Sequence, residues 1–173
     1  LVSAREYFRG QLRYCLWLRD APAALLEECP PVRERIARVR AFRAASKKAS
    51  TRAAAARPWE FAELRQPGAQ YVLVPIHSSE LRSHVPLGFF GPDTIVHNSC
   101  TCVPGAGLFE FAVMSSRMHM LWLSVVGGRI KSDLRYSNRL VYNTFPWPEV
   151  SEGQRDEVAG LARELLASRH SLG

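Results

Sequence analysis

Four charged residues alternate with mostly apolar neighbours in one short stretch of the sequence: Arg129, Lys131, Asp133 and Arg135. In an extended chain, side chains two positions apart project to the same side, so a single strand here would carry all four charges on one face. Arginine and lysine donate hydrogen bonds and aspartate accepts them, which matches the donors and acceptors on the base edges of duplex DNA. The pattern therefore predicts a strand that reads DNA bases through these four residues. For Arg129 and Arg135, contacts with phosphate and salt bridges to Asp133 or nearby acids are the alternatives.

A polar segment upstream supplies further donors. Ser78, Ser79 and Arg82 lie between two apolar runs, which predicts an exposed loop. Hydroxyl and guanidinium groups on a loop are suited to contacts with DNA bases or phosphates. We expect these three side chains to contribute loop contacts.

The most regular pattern in the chain is a basic helix that begins near Pro30 and Pro31. Val32, Ile36, Val39 and Phe42 recur at helical spacing and form an apolar stripe. A solvated basic face is one interpretation of the cations around this stripe, and a surface neutralised by DNA phosphates is the other. The second interpretation gives these predicted backbone contacts: Arg40, Arg43, Lys47 and Lys48.

The composition of the chain limits the kinds of partner that it could bind. The chain has 173 residues and a formal net charge of +7, which favours one folded domain that binds a polyanion. No apolar run approaches the roughly 20 residues of a membrane-spanning helix, and arginines interrupt the amino end where a signal peptide would be apolar. The absence of an initiator methionine at Leu1 suggests a fragment. Four cysteines without framework spacing indicate reduced thiols and a cytoplasmic location.

Recognisable catalytic and cofactor motifs are absent from the sequence. A zinc site at His97, Cys100 and Cys102 would need an irregular ligand spacing, and strand residues near a loop are the simpler interpretation. The glycine pair in Pro104–Gly107 lacks the third glycine of a dinucleotide-binding turn, so it predicts a loop that leads into a helix. We therefore expect no catalytic, cofactor or metal site in this chain.

The remaining patterns predict an α+β fold with short, mostly antiparallel strands and flanking helices. Prolines inside two of the strand-like runs favour sheet edges or bulges. The predicted strands are Arg13–Leu18, Tyr71–Ile76, His84–Phe90, Thr94–Val96, the reading segment and Leu140–Tyr142.

Two helices are expected in the second half of the chain. One runs from Phe111 to Val125 and ends at Gly127 in a left-handed cap. The other starts after Ser151, with an apolar stripe of Val158, Leu161, Leu165 and Leu166. We expect residues 1–150 to form the recognition domain and residues 151–173 to begin a truncated helical region. The residues assigned to the core here are Met118, His119, Tyr136, Phe145 and Trp147.

Several segments together resemble one known family, the target recognition domain of MmeI-like (type IIL) restriction-modification proteins and related adenine-specific DNA methyltransferases. The resemblance covers most of residues 6–149. The segments are RYCLWL, VRERIARVRAFRAASKKAST, PWEFAE, VPIHSSELRSHVPLG, SSRMHMLWL, GGRIKSDLRYS and VYNTFPWPE.

The resemblance implies that this domain selects a short site in double-stranded DNA for a parent protein that methylates adenine N6. S-adenosylmethionine would bind in the methyltransferase domain of that parent chain, because the family's NPPY tetrapeptide is not in this sequence. It also implies that Lys131 and Asp133 act as a pair that selects the base pair next to the adenine. A lysine can donate to guanine O6 and N7 and an aspartate can accept from cytosine N4, so we expect them to read a G·C pair.

A function from another class fits the same charge. A basic scaffold without catalysis could bind nucleic acid or an acidic partner without reading sequence. Equal affinity for specific and random duplexes would mark the scaffold, whereas a preference would mark the recognition domain.

Overall fold

The computed structural model describes residues 1–171, which form two compact units. Unit 1 comprises Leu1–Arg13 and the described chain from Gln66 onward, and unit 2 comprises Tyr14–Arg65. The helices are α1 (Ala4–Arg9), α2 (Ala23–Glu28), α3 (Pro30–Ala44), α4 (Ala49–Ala53), α5 (Leu108–Ser115), α6 (Arg117–Val126) and α7 (Glu152–Ser171), with a 3-10 helix at Ala54–Ala56 and a π-helix at Asn138–Tyr142. The strands are β1 (Tyr71–Pro75), β2 (His77–Ser78), β3 (Gly88–Phe90), β4 (Cys100–Pro104), β5 (Gly128–Ile130) and β6 (Asp133–Arg135).

The first sheet of unit 1 has the order β3-β1-β4, and both of its strand pairs are antiparallel. The central strand β1 is fully buried, because its alternating side chains enter two separate apolar clusters. Val72 and Val74 enter one cluster, and Tyr71 and Leu73 enter the other. Pro75 ends this central strand opposite Cys100, so the prediction that it marks a sheet edge is wrong.

The larger cluster joins this sheet to the helices and to the second sheet. Its members come from β1, β4, α5, α6, β6, the π-helix, α7 and the segments that connect them. They include Val72, Val74, Phe111, Met114, Leu123, Leu134, Tyr136 and Ala162. Burial of this many apolar side chains is the main stabilising contribution to unit 1.

The second sheet has the order β2-β6-β5 and is also antiparallel. Leu134 in the middle of β6 is only 2% exposed and anchors this small sheet to the larger cluster. The predicted reading strand is therefore two strands joined by a turn at Lys131 and Ser132. The mixed α+β class with antiparallel strands is confirmed.

The single helix predicted from Phe111 to Val125 is two helices. Ser116 has an extended backbone, and its hydroxyl accepts a hydrogen bond from the His119 amide at 3.1 Å, which starts α6 as an N-cap. Gly127 ends α6 with φ −71° and ψ 153°, so the predicted left-handed cap is wrong. The core assignment holds for His119, which is fully buried, and fails for Met118, which is 58% exposed.

Four strand predictions need correction. Residues 13–18 contain no strand, the strand expected over His84–Phe90 is confined to Gly88–Phe90, and Thr94–Val96 contributes only an isolated bridge from Val96 to Val2. Leu140–Tyr142 lies in the π-helix, because the Ser137 hydroxyl caps that turn by accepting from the Leu140 amide. At Leu140–Tyr142, apolar content favoured a strand, but the Ser137 cap and the π-helical turn determine the backbone.

Unit 2 is built around α3, which begins at Pro30 as the sequence predicts. Val32, Ile36 and Val39 are half-buried, whereas Phe42 is 77% exposed. The short helix α2 precedes α3 in this unit.

The terminal helix α7 packs against α5 within unit 1. Up to Arg169, the buried residues of α7 are Ala159 and Ala162, so small side chains form the contact. Leu161 of the predicted stripe is 59% exposed. Arg155 adds an ion pair to Glu110 of α5 at 3.0 Å. The assignment of residues 151–173 to a further helical region remains a prediction, and residues 172 and 173 lie outside the described chain.

Candidate nucleic-acid interface

The hairpin β5–β6 presents Lys131 on a two-residue loop. Ile130 and Asp133 are directly paired across the hairpin, which leaves only Lys131 and Ser132 in the turn. Lys131 has φ 57° and is the one non-glycine residue with positive φ in the described chain. A positive φ at the first loop position alone is the pattern of a type II′ turn, where glycine is preferred. A lysine in this conformation costs about 1–2 kcal/mol, and such strain often marks a functional side chain.

Lys131 and Asp133 are both exposed, and the described residues provide neither a salt bridge nor a hydrogen bond to their side chains. Asp133 and Arg135 project to the side of β6 opposite the buried Leu134. Arg135, which is exposed, pairs in register with Gly128 and His77. The hairpin thus offers one carboxylate and two cations to a ligand at its outer side.

Arg129 differs from the other three charged residues. It pairs in register with Leu134, so its side chain leaves the backbone on the same face as Leu134. Asp133 and Arg135 project from the opposite face. Its Nη1 donates to the Ser132 carbonyl at 3.0 Å and lies 3.5 Å from a carboxylate oxygen of Glu80. The prediction that all four charges share one face is wrong, because the chain turns at Lys131. Arg129 fastens the turn to the neighbouring loop.

The loop after β2 is only partly as predicted. Ser78 is 7% exposed and pairs with Leu134 inside the second sheet, so it is not a loop donor. Ser79 is exposed, and its hydroxyl accepts from the Leu81 amide at 3.2 Å. Arg82 is exposed, and its guanidinium carbon lies 4.5 Å from the centroid of the Phe8 ring. Ser79 and Arg82 therefore remain available for contacts.

The predicted backbone contacts of α3 and the following segment lie in unit 2. Arg40, Lys47 and Lys48 are exposed. Arg43 donates to the carbonyl oxygens of Ala54, Arg57 and Glu60 at 2.8–3.0 Å. Its guanidinium therefore holds residues 54–60 in place. The predicted phosphate contacts that remain are Arg40, Lys47 and Lys48.

Buried polar groups near the hairpin serve the fold. His119 Nε2 lies 3.0 Å from the hydroxyl oxygen of Tyr136, the residue that follows β6. Burial lowers the pKa of His119 to about 4, so its ring is neutral at pH 7. Burial also raises the pKa of Tyr136. A neutral donor–acceptor pair therefore ties α6 to the end of the hairpin.

Other sites considered from the sequence do not form in the described chain. Within residues 1–171, no group of three or more metal-ligating side chains comes together, and His97 Nδ1 instead contacts the Ser99 hydroxyl at 3.0 Å. Pro104–Gly107 leads into α5, where the Gly107 amide donates to Glu110 at 2.8 Å. No helix in this part of the chain is long and apolar enough to cross a membrane.

The described residues thus form an α+β fold with antiparallel sheets and an exposed, charged hairpin. The chain belongs to the family described as MmeI, target recognition domain, whose model matches residues 1–149. The resemblance stated from the sequence segments is thereby confirmed.

Two relatives extend this result. DNA methyltransferase A of Bacillus subtilis (strain 168) is 37% identical over 172 residues, which are 99% of this chain and 20% of that protein. The type IIL restriction-modification enzyme MmeI, solved in complex with DNA, matches with a TM-score of 0.95 and 38% identity over 98% of this chain and 23% of that chain. The chain thus spans about a fifth of the length of these relatives.

Proposed function

We propose that this chain recognises a short double-stranded DNA sequence on behalf of a DNA methyltransferase. The observation that carries the proposal is Lys131, whose unpaired amine stands on a strained turn at the tip of an exposed hairpin. Membership of the target recognition family and the likeness to an enzyme solved with DNA support it.

The hairpin enters the major groove, which is wide enough for a two-stranded ribbon. Lys131 donates to O6 and N7 of a guanine, and Asp133 accepts from N4 of the paired cytosine. The two residues stand on either side of Ser132, so one G·C pair lies within the span of both. This base pair is next to the adenine that the parent protein modifies, with the guanine on the modified strand. Arg135, on the same side of β6 as Asp133, is a further candidate for a base contact.

Backbone contacts would hold the hairpin in register. The candidates in unit 1 are Ser79 and Arg82, and those in unit 2 are Arg40, Lys47 and Lys48. Phosphate contacts contribute affinity and salt dependence without carrying sequence information. The net charge of +7 fits this role.

The parent protein is an adenine-N6 methyltransferase that uses S-adenosylmethionine, a cofactor bound by its methyltransferase domain outside this chain. The methyltransferase relative supports a methyltransferase parent. The recognition domain contributes binding and position, while the methyl transfer is carried out by that other domain.

Selection from a randomised duplex pool tests the proposal against the basic scaffold. The full-length protein should enrich one motif, and Lys131→Gln should lose the preference at one base pair of that motif while keeping the others. Arg139→Gln, at an exposed arginine in the π-helix, provides a matched control with an unchanged motif. Enrichment of no motif by the unaltered protein would support the scaffold and contradict the proposal.

A further inference from the structure

We propose that a recess beside the recognition hairpin binds one phosphate of the DNA backbone, an inference that rests on the proposed function. The recess has a volume of about 620 Å³ and lies within unit 1. It is formed by Tyr7 and Phe8 of α1, by the loop Leu81–Leu87 and by Arg169 of α7. The defining residues are the two arginines, Arg82 and Arg169.

Arg82 is held in the recess by an aromatic ring instead of an acid. Its guanidinium lies over Phe8 at 4.5 Å from the ring centroid. A guanidinium stacked on a ring keeps its N–H donors in the guanidinium plane, free for other acceptors. Arg82 therefore keeps the fork geometry that matches two oxygens of a phosphate.

Arg169 is held in a comparable way. Its Nη1 donates to the backbone carbonyl of Leu87 at 3.3 Å, and its guanidinium carbon lies 5.6 Å from the centroid of the Phe111 ring. A carbonyl and an aromatic face fix the orientation of the side chain without neutralising its charge. The remaining donors of Arg169 are left for a ligand.

The lining of the recess carries positive charge without a carboxylate. None of its lining residues is an aspartate or a glutamate. The nearest acid along the loop, Glu80, is paired with Arg129. The Tyr7 hydroxyl and the Ser83 hydroxyl, which lies 2.8 Å from His84 Nδ1, add neutral groups. Two oriented cations with neutral neighbours select an anion, and a phosphate suits the arginine fork.

The position of the recess indicates which phosphate source it serves. The loop Leu81–Leu87 follows β2 almost directly, and β2 is paired with β6 of the recognition hairpin. Glu80, at the start of the loop, is joined to Arg129 of β5. A duplex that receives the hairpin in its groove thus brings its own backbone to this loop, and the recess takes a phosphate that flanks the recognised bases.

The salt dependence of binding provides a direct test. The affinity of the full-length protein for a duplex that contains the motif it recognises would be measured from 50 to 200 mM salt. Each phosphate contact contributes about 0.9 to the slope of log affinity against log salt, so Arg82→Gln and Arg169→Gln should each reduce the slope by about that amount. The recognised motif should remain unchanged, because phosphate contacts carry no sequence information.

Two further variants keep the test decisive. Arg163→Gln, at an exposed arginine of α7 outside the recess, should leave the slope unchanged. If Arg169→Gln weakens folding, Arg169→Lys keeps the cation and should keep the slope of the unaltered protein. A slope in Arg82→Gln equal to that of Arg163→Gln would overturn the phosphate site, and so would such a slope in a folded Arg169→Gln. Reduced slopes without any sequence preference would contradict the recognition function and keep the phosphate site.

Discussion

Ile130 and Asp133 are directly paired across the hairpin, and this pairing forces Lys131 into a left-handed backbone conformation at φ 57°. The lysine that we assign to base reading is therefore also the most strained residue of the turn. Stability and recognition make opposite demands on this position, and the first prediction separates them.

Lys131→Gly should keep or raise the free energy of unfolding, by up to about 1 kcal/mol, because glycine adopts positive φ without the steric cost of a Cβ. The same substitution removes the amine and should abolish the preference at the adjacent base pair. Denaturant unfolding and motif sequencing measure the two effects. Ser132→Gly is the control, since the backbone of Ser132 needs no positive φ. A clear loss of stability in Lys131→Gly would contradict the turn geometry.

Arg129→Ala tests whether Arg129 positions the turn or reads a base itself. Because Arg129 contacts the Ser132 carbonyl and Glu80, its loss should relax selectivity at the base pair assigned to Lys131. Glu80→Gln should act at the same position and more weakly, since exposed ion pairs contribute at most about 1 kcal/mol. Motif sequencing of both variants measures this. Loss of selectivity at a different base pair in Arg129→Ala would show direct reading.

Gly127→Ala should destabilise unit 1 by roughly 1–3 kcal/mol, because an added Cβ would overlap the Leu123 carbonyl oxygen and lie 2.7 Å from Leu123 Cδ1. Gly128→Ala is the matched control, since its Cβ would have no neighbour closer than 3.7 Å. Thermal unfolding compares the two. Equal effects would show that the close contact with Leu123 is not what requires glycine at position 127.

His119 should make the folded state sensitive to acid. Its pKa is about 4 in the folded state, below the ordinary histidine value of 6.5, so the unfolded state binds the proton first as pH falls. The stabilising contribution is complete above pH 6.5 and is lost towards pH 4, at up to about 1.4 kcal/mol per pH unit. Unfolding measured from pH 7 to pH 4 should show this slope, and His119→Gln should flatten it. An equal slope in His119→Gln would assign the acid sensitivity to other groups.

The sequence predicts correctly those elements for which several neighbouring residues indicate the same structure. The strand at Tyr71 and the helix at Pro30 have apolar periodicity and boundary residues that agree. Charges that alternate with period two on both sides of the turn favour a single strand for the reading segment, and Lys131 is an unusual residue for a left-handed position. Ser132 and Asp133, which favour turns, were the available signal for the hairpin.

Long-range contacts account for the rest. Ser78 has a polar neighbourhood in the sequence, but pairing with Leu134 buries it. Arg43 belongs to a basic helix, yet three carbonyl oxygens distant in sequence occupy its guanidinium. Arg169 was absent from the predicted contacts because its relation to Leu87 spans more than 80 residues. Periodicity within one element does not encode such contacts.

The most direct measurement is sequencing of methylated DNA from cells that express the full-length protein, beside cells that express the double variant Lys131→Glu with Asp133→Arg. The exchange reverses the donor and the acceptor, so the G next to the methylated adenine should become C while the other positions of the motif stay the same. Arg139→Gln should leave the motif as it is. A double variant that methylates the original motif unchanged would contradict base reading by Lys131 and Asp133.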